Sequence, residues 1–285
     1  MTRLRQKMID DMKLRSFSPK TQYAYVSAVA GLAQYFNCSP DMLNNEKVQA
    51  YLLHLIEGRK LSWSSCNIII SGLRFFYNVT LCKQSMNLAF PPRKKKTFLP
   101  EILSLEELEH LFTCTINLKH RALLMTTYAG GFRVSEVVRL KLTDIDSKRM
   151  MIRIEQGKGN KDRYTILSQR LLKILREYWG MYRSPFWLFH AKDSRKPMPI
   201  GTAQKIYYNA KSNAQIKKGQ GIHTLRHCFA THLLESNVDL RTIQTLMGHN
   251  SITTTMKYLQ VTRKKLTSLK SPLDLIEIPT NKQIT

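Results

Sequence analysis

The stretch GIHTLRHCFATHLLESNVDLRTIQTLMGHNSITTTMKY, residues 221–258, decides the reading of this chain. HTLRH, His223 to His227, opens a helix that runs on through FATHLL. His223 and Arg226 lie three apart, so the helical repeat sends both from one face. His227 and His232 are assigned to other faces of that helix and to structure. Asp239 is a good N-cap for LRTIQTLM, and Gly248 is a good stop for it. His249 follows the stop directly, Ser251 caps the next helix, and Tyr258 sits nine residues beyond His249. Two histidines, an arginine and a tyrosine are thus hung on three short helices.

Working upstream, Met150 to Leu167 has a different period. Two alternating runs, MMIRIEQ and RYTIL, flank the Gly-rich turn GKGNKD, which predicts a β-hairpin with Lys158 at its tip. A helix is expected from about His120 to Ala129, followed by Gly130–Gly131 and Phe132–Arg133. Ser104 with Glu107 three residues on reads as a capping box. After the hairpin the pattern is helical again, with Pro197 and Pro199 marking a loop. Residues 87–100, NLAFPPRKKKTFLP, break every periodicity; their cations Arg93, Lys94, Lys95 and Lys96 read as a linker that follows a phosphate backbone, or as a solvated charge run. Before it lie about four helices. One covers Leu4–Leu14. The next is capped by Ser18 with Pro19 in its first turn and has Tyr23, Val26, Ala30, Ala33 and Phe36 at helical spacing. A third runs from Val48 to Ile56, and the last starts at Ser62 with Trp63, Cys66, Ile69, Ile70, Leu73 and Phe76. The expected fold is mainly α with a small antiparallel β-sheet, in two domains: residues 1–88, a linker over 89–101, and residues 102–285.

Composition narrows the function classes. With 285 residues and 45 Lys and Arg against 20 Asp and Glu, the net charge is +25. The excess is spread through both halves of the chain, so both face a polyanion, most simply nucleic acid, whose counterions are released on binding. No apolar run approaches the ~18–20 residues that span a bilayer, so no membrane partner is expected. Basic residues open the chain, but Asp10 and Asp11 follow without an apolar stretch, unlike a secretory signal. The five cysteines are scattered without a CxxC pair, which argues against a zinc site or a disulfide framework and suits a reducing cytosol.

These motifs together resemble the tyrosine recombinase (phage-integrase) family, of the Xer and integrase kind. The pattern G-H-N-S-x-x-T-T-x-x-Y after an HxxRH box is similar to that family's catalytic end. YAGGFRVSEVVRLKLTDID resembles its first arginine box, with Arg133 in the arginine position, and GKGNKDR its lysine turn, with Lys158 as the lysine. SPKTQYAYVSAVAGLAQYF resembles the helical core-binding domain, so the likeness spans nearly the whole chain. Departures are mild: Gly131–Phe132 stands where Gly–Leu is common, and Met247 precedes Gly248 where Leu is usual. The resemblance implies an N-terminal core-binding domain, a catalytic domain with a C-terminal tail, and a clamp around duplex DNA. It further implies a monomer or weak oligomer in solution that forms a homotetramer on two recombination sites. Strand exchange would run through a 3′-phosphotyrosine and a Holliday junction. A bacterial cytoplasmic enzyme working at the nucleoid, in DNA integration or a mobile element, fits this picture. The stretch between Ile206 and His223 leaves little room for the extra helix of integron integrases.

The chemistry of the residues agrees. Tyr258 would attack the scissile phosphate, conserving the bond energy for rejoining. Arg133 and Arg226, planar forks of donors, suit the non-bridging oxygens. His249 adds a donor, His223 donates or assists proton movement, and Lys158 protonates the departing 5′-oxygen. Glu136, three residues after Arg133, is expected to orient it. Two guanidiniums supply the neutralisation that Mg²⁺ provides elsewhere, so no cofactor and no metal are expected. Singly, each of these residues also reads as a packed tyrosine, a core histidine, a salt-bridge arginine or a turn lysine; order and spacing distinguish the set. Two alternatives stand beside the recombinase: a type IB topoisomerase-like relaxing enzyme, and a non-catalytic DNA-binding regulator on the same scaffold, which needs no nucleophile. After Tyr258, Leu273, Leu275, Ile276 and Ile278 form an apolar cluster that either folds back or docks on a neighbouring protomer.

Overall fold

A computed structural model of the chain describes residues 2–83, 100–155, 162–249 and 251–259. The chain divides into two compact units, Met1–Lys96 and Thr97–Thr285.

The first unit is built from α1 (Arg3–Leu14), α2 (Pro19–Phe36), α3 (Asn45–Glu57) and α4 (Trp63–Phe75), with a π-helical turn over Phe76–Thr80. The starts of α2, α3 and α4 are set by side-chain oxygens that accept otherwise unpaired backbone N–H groups. Ser18 accepts from Thr21, Asn44 from Lys47 and Ser62 from Ser65. The core joins Met8 and Met12 of α1 to Leu32, Leu52, Leu55, Ile70 and Leu73. Tyr77 is fully buried, and its hydroxyl donates to the Pro40 carbonyl at 2.7 Å. The stripe expected on α2 is corrected by packing. Val26, Val29 and Leu32 face the core, whereas Tyr23 is 76 % exposed and Ala30 is exposed. Apolar residues surround most of α2, so its periodicity admits more than one inward face, and contact with α4 selects one.

The second unit opens with α5 (Leu105–Thr113), where the reciprocal Ser104–Glu107 capping box is formed. Next come α6 (Leu118–Ala129), begun two residues before the expected His120 because Asn117 caps it, and the one-turn α7 (Val134–Val137). Strands β1 (Ile145–Asp146), β2 (Met151–Ile154) and β3 (Arg163–Ile166) form an antiparallel sheet in that order, with Ile154 opposite Arg163. The short β1 lies outside the expected hairpin. Met150 has a φ of 54°, which turns the chain back between β1 and β2, so the hairpin strand begins one residue later than its apolar run. Helices α8 (Gln169–Tyr182), α9 (Ile200–Asn213), α10 (His223–Glu235), α11 (Leu240–Met247) and α12 (Ile252–Met256) follow. One core gathers Leu123, Phe132, Ile152, Tyr178, Phe189 and Leu225. A smaller one joins Phe229 and Leu234 of α10 to Ile243 and Met247 of α11 and to Tyr258 just beyond α12. That smaller core holds α10, α11 and the end of α12 against one another, and with them the candidate residues of the opening stretch.

Candidate active site

Arg226 is the centre of the site. It lies on the second turn of α10, only 1 % exposed, where an unpaired guanidinium would cost several kcal/mol. Both terminal nitrogens of its guanidinium meet acceptors. Nη1 donates to the Gly131 carbonyl, and Nη2 donates to the Met247 carbonyl and to His249 Nε2, the last at 3.1 Å. The carboxylate of Glu136 stands 3.7 Å from Nη1. Two glycines allow these approaches. Gly131 has a φ of 61°, and a Cβ there would lie 2.3 Å from the Phe229 ring; Gly248 has a φ of 59° and sits against the Arg163 side chain.

Arg133 caps α7 from just outside it. Its backbone N–H donates to Glu136 Oε2 at 2.8 Å and its Nη1 to Oε1 at 2.7 Å. The remaining Nη2 reaches the Gly248 carbonyl at 3.4 Å. Glu136 also takes a two-pronged ion pair from Arg163 of β3, at 2.9 and 2.8 Å. Burial works to raise the Glu136 carboxyl, but the hydrogen bonds from Arg163 and Arg133 overcome it and hold it down to about 2. One carboxylate therefore serves three guanidiniums. Arg163 further donates its Nε to the Leu246 carbonyl, tying the hairpin to the end of α11.

His249 is held between Arg226 and Thr255, whose Oγ1 is 2.8 Å from Nδ1. Burial, and then the charges of Arg226 and Arg133, lower the ring to about 4, so it is neutral at pH 7. Arg226 has only donors to offer, so Nε2 accepts and the ring proton resides on Nδ1, directed to Thr255. His223 faces a cavity of about 700 Å³ that it shares with His227, His249 and Tyr258. Its pKa is lowered by burial and by Arg226 and Arg133. Tyr258 is 4 % exposed, and burial pushes its phenol up to about 12 against the pull of Arg226 and Arg133.

His227 corrects the sequence reading. It does not face away from the site: its ring lies 4.7 Å from that of His223, edge to face, and its Nδ1 is 3.0 Å from the Tyr258 hydroxyl. The signal was present, since residues four apart on a helix are neighbours as surely as residues three apart. His232 is elsewhere, 3.0 Å from the Tyr128 hydroxyl. Arg163 and Thr255 were not singled out from sequence either. Alternation along β3 puts Arg163 on the same side as buried Thr165, which was the available hint. Lys158, the linker cations Arg93, Lys94, Lys95 and Lys96, and the apolar cluster of the tail lie outside the described residues. Among the described residues, no group of three or more His, Cys, Asp and Glu side chains is placed to hold a metal ion, and no helix is long and apolar enough to cross a membrane.

Guanidiniums braced on one carboxylate stand beside a cavity lined by His223, His227, His249 and Tyr258, a set of groups able to bind a phosphate and to act on it. Residues 101–265 match the phage integrase family and residues 4–86 its N-terminal SAM-like domain, and the chain belongs to that family, the tyrosine recombinases. It is accordingly a site-specific DNA recombinase, an enzyme of DNA strand breakage and rejoining. The chain is 44 % identical over 280 residues to a putative integrase/recombinase of Sinorhizobium fredii, covering 98 % of this chain and 91 % of that one. It is 31 % identical over 276 residues to the tyrosine recombinase XerC of Lactobacillus leichmannii, covering 89 % and 92 %. Among solved structures, XerA recombinase is similar with 26 % identity and a TM-score of 0.55, covering 93 % of this chain and 95 % of that one. A lambda integrase dimer bound to a core site shares the fold, with a TM-score of 0.70 at 18 % identity, covering 88 % and 92 %.

Proposed function

We propose that Tyr258 is the nucleophile and that Arg133, Arg226, His223 and His249 surround the scissile phosphate, with Lys158 donating a proton to the departing 5′-oxygen. The observation that carries the reading is the single buried network in which Arg226 touches His249 while Tyr258 lies 3.0 Å from His227 on the same helix as Arg226. Negative charge that grows on the non-bridging oxygens meets two guanidiniums already fixed by Glu136, so little reorganisation is left for the reacting moment. His249 changes partner when a phosphate oxygen enters. Its proton shifts to Nε2 to donate to the phosphate, and the Thr255 hydroxyl, able to give as well as accept, turns to donate to Nδ1. The phenol, raised by burial, is a poor nucleophile until its proton leaves, which restrains cutting before DNA is seated. Glu136 acts by holding Arg133 rather than by touching DNA.

The substrate is duplex DNA carrying recombination sites, and the working assembly is four copies on two sites, formed from monomers or weak oligomers. In support, one structural relative is described as a lambda integrase tetramer bound to a Holliday junction. The basic run Arg93–Lys96 contacts the DNA backbone, and the enzyme works in the bacterial cytoplasm beside the nucleoid. On a nicked suicide substrate, wild-type protein traps a covalent complex, and Tyr258→Phe binds the same DNA without trapping it. A covalent adduct from the phenylalanine variant would overturn the assignment, and loss of trapping on adding a chelator would overturn the metal-free chemistry. Relaxation of supercoiled DNA lacking any recombination site, at the rate seen on cognate sites, would instead favour a topoisomerase.

A further inference from the structure

The proposed chemistry leaves one reacting proton unassigned. Tyr258 must lose its phenolic proton as its oxygen bonds to phosphorus, and His227 holds a ring nitrogen, Nδ1, at 3.0 Å from that oxygen. We propose that His227 is a further catalytic residue, the acceptor of the Tyr258 proton during cleavage and its donor during rejoining. The inference rests on Tyr258 being the nucleophile.

Three features of the site favour it. The first is geometry: a base must lie within about 2.6–3.2 Å of the proton-bearing atom, and His227 does so in the resting enzyme. The second is protonation state. Burial, then His223, Arg226 and Lys257, lower the His227 ring to about 4, so it is neutral and has a lone pair to offer at pH 7. The third is the supply of charge around it. Glu101, His249 and Lys257 line the same cavity, and His223 and Arg226 share its helix. In the empty site the cations among these neighbours oppose an imidazolium. A seated phosphate adds negative charge beside them, which raises the basicity of His227 at the moment it is needed. His223, stacked edge to face on His227, is left to serve the phosphate oxygens.

The step balances. The Tyr258 O–H bond breaks and its proton goes to Nδ1 of His227, which becomes an imidazolium. The phenolic oxygen forms the new bond to phosphorus, and the bond from phosphorus to the 5′-oxygen breaks. Its electron pair leaves on that oxygen, which takes a proton from the general acid assigned above to Lys158. In rejoining, the 5′-hydroxyl attacks phosphorus and the imidazolium returns its proton to the departing phenolate.

The test uses full-length protein and a nicked suicide substrate in single-turnover cleavage. His227→Ala is expected to slow covalent trapping on the order of 100-fold while DNA affinity stays within about twofold. Replacing Tyr258 by 3,5-difluorotyrosine, a more acidic phenol, then restores at least tenfold of the missing rate, because a phenol that ionises by itself needs the base less. His227→Asn keeps a hydrogen-bonding oxygen near the Nδ1 position without basicity. It should hold Tyr258 and still cleave slowly, and it supplies the measurement if the alanine variant is unstable. Wild-type cleavage by His227→Asn would reduce His227 to a holding contact and overturn the proposal. So would a His227→Ala defect that fluorination leaves unchanged. Failure of the nucleophile assignment itself appears separately, as a covalent adduct formed by Tyr258→Phe.

Discussion

Glu136→Gln tests the organisation of the site most directly, because one charge is removed while shape and length are kept. In the native protein this carboxylate is mostly buried and accepts four hydrogen bonds, two from Arg133 and two from Arg163. Its carboxyl is held at about 2, against roughly 4.3 in an unfolded chain. At ~1.4 kcal/mol per pH unit of that difference, the ionised form contributes ~3 kcal/mol to stability. Removing one partner from a buried ion pair independently costs about 3–5 kcal/mol, so two routes reach the same magnitude. The sign follows from linkage. The pKa is depressed in the folded state, so the contribution is complete above about 4.3 and is lost as pH falls towards about 2. Urea unfolding followed by the fluorescence of Trp179 and Trp187, both in the second unit, should show Glu136→Gln less stable by ~3 kcal/mol at pH 7. The gap between wild type and variant should close as pH falls from about 4.3 to about 2. A gap below about 1 kcal/mol at pH 7, or one that persists unchanged at pH 2, would refute the account of Glu136 as a shared counter-charge.

Gly131→Ala should destabilise the second unit by about 2 kcal/mol or more in the same unfolding assay, since its left-handed backbone and the 2.3 Å approach to Phe229 leave no room for a Cβ. Cleavage should fall with it, because the Gly131 carbonyl positions Arg226. Neutralising Arg93, Lys94, Lys95 and Lys96 together should weaken binding to all duplexes about equally and lower the salt slope of log affinity by roughly one for each phosphate that the run neutralises in the wild type; an unchanged slope in a titration of affinity against salt would show the run to be merely solvated. Deleting the residues after Ser271 should leave single-site binding nearly intact while cooperative two-site binding and recombination fall sharply, as gel-shift and recombination assays would show. Wild-type recombination by the truncated protein would refute docking of the tail on a neighbouring protomer.

Much of this protein is written locally. Helix starts depend on one side chain reaching one backbone N–H a few residues away, so Ser18, Ser62, Ser104 and Asp239 announce their helices in the sequence. The hairpin flanks and the stop at Gly248 are equally local, and the order and spacing of Arg133, His223, Arg226, His249 and Tyr258 carry the family likeness. Side-chain partnerships across the fold are not local. Arg163 meets Glu136 from 27 residues away, and Tyr258 reaches His227 from 31 residues away. No period of 2 or 3.6 encodes such a meeting; it exists only once α10, α11 and β3 pack around the Gly131 and Gly248 turns. The same holds for α2, whose apolar surface offered several inward faces until α4 covered one. The order of residues along the chain is enough to say which chemical groups this enzyme owns and which short elements carry them. Which guanidinium is buried, which carboxylate braces it and which histidine touches the tyrosine follow from packing instead, because burial and long-range hydrogen bonds join elements that lie far apart in the chain.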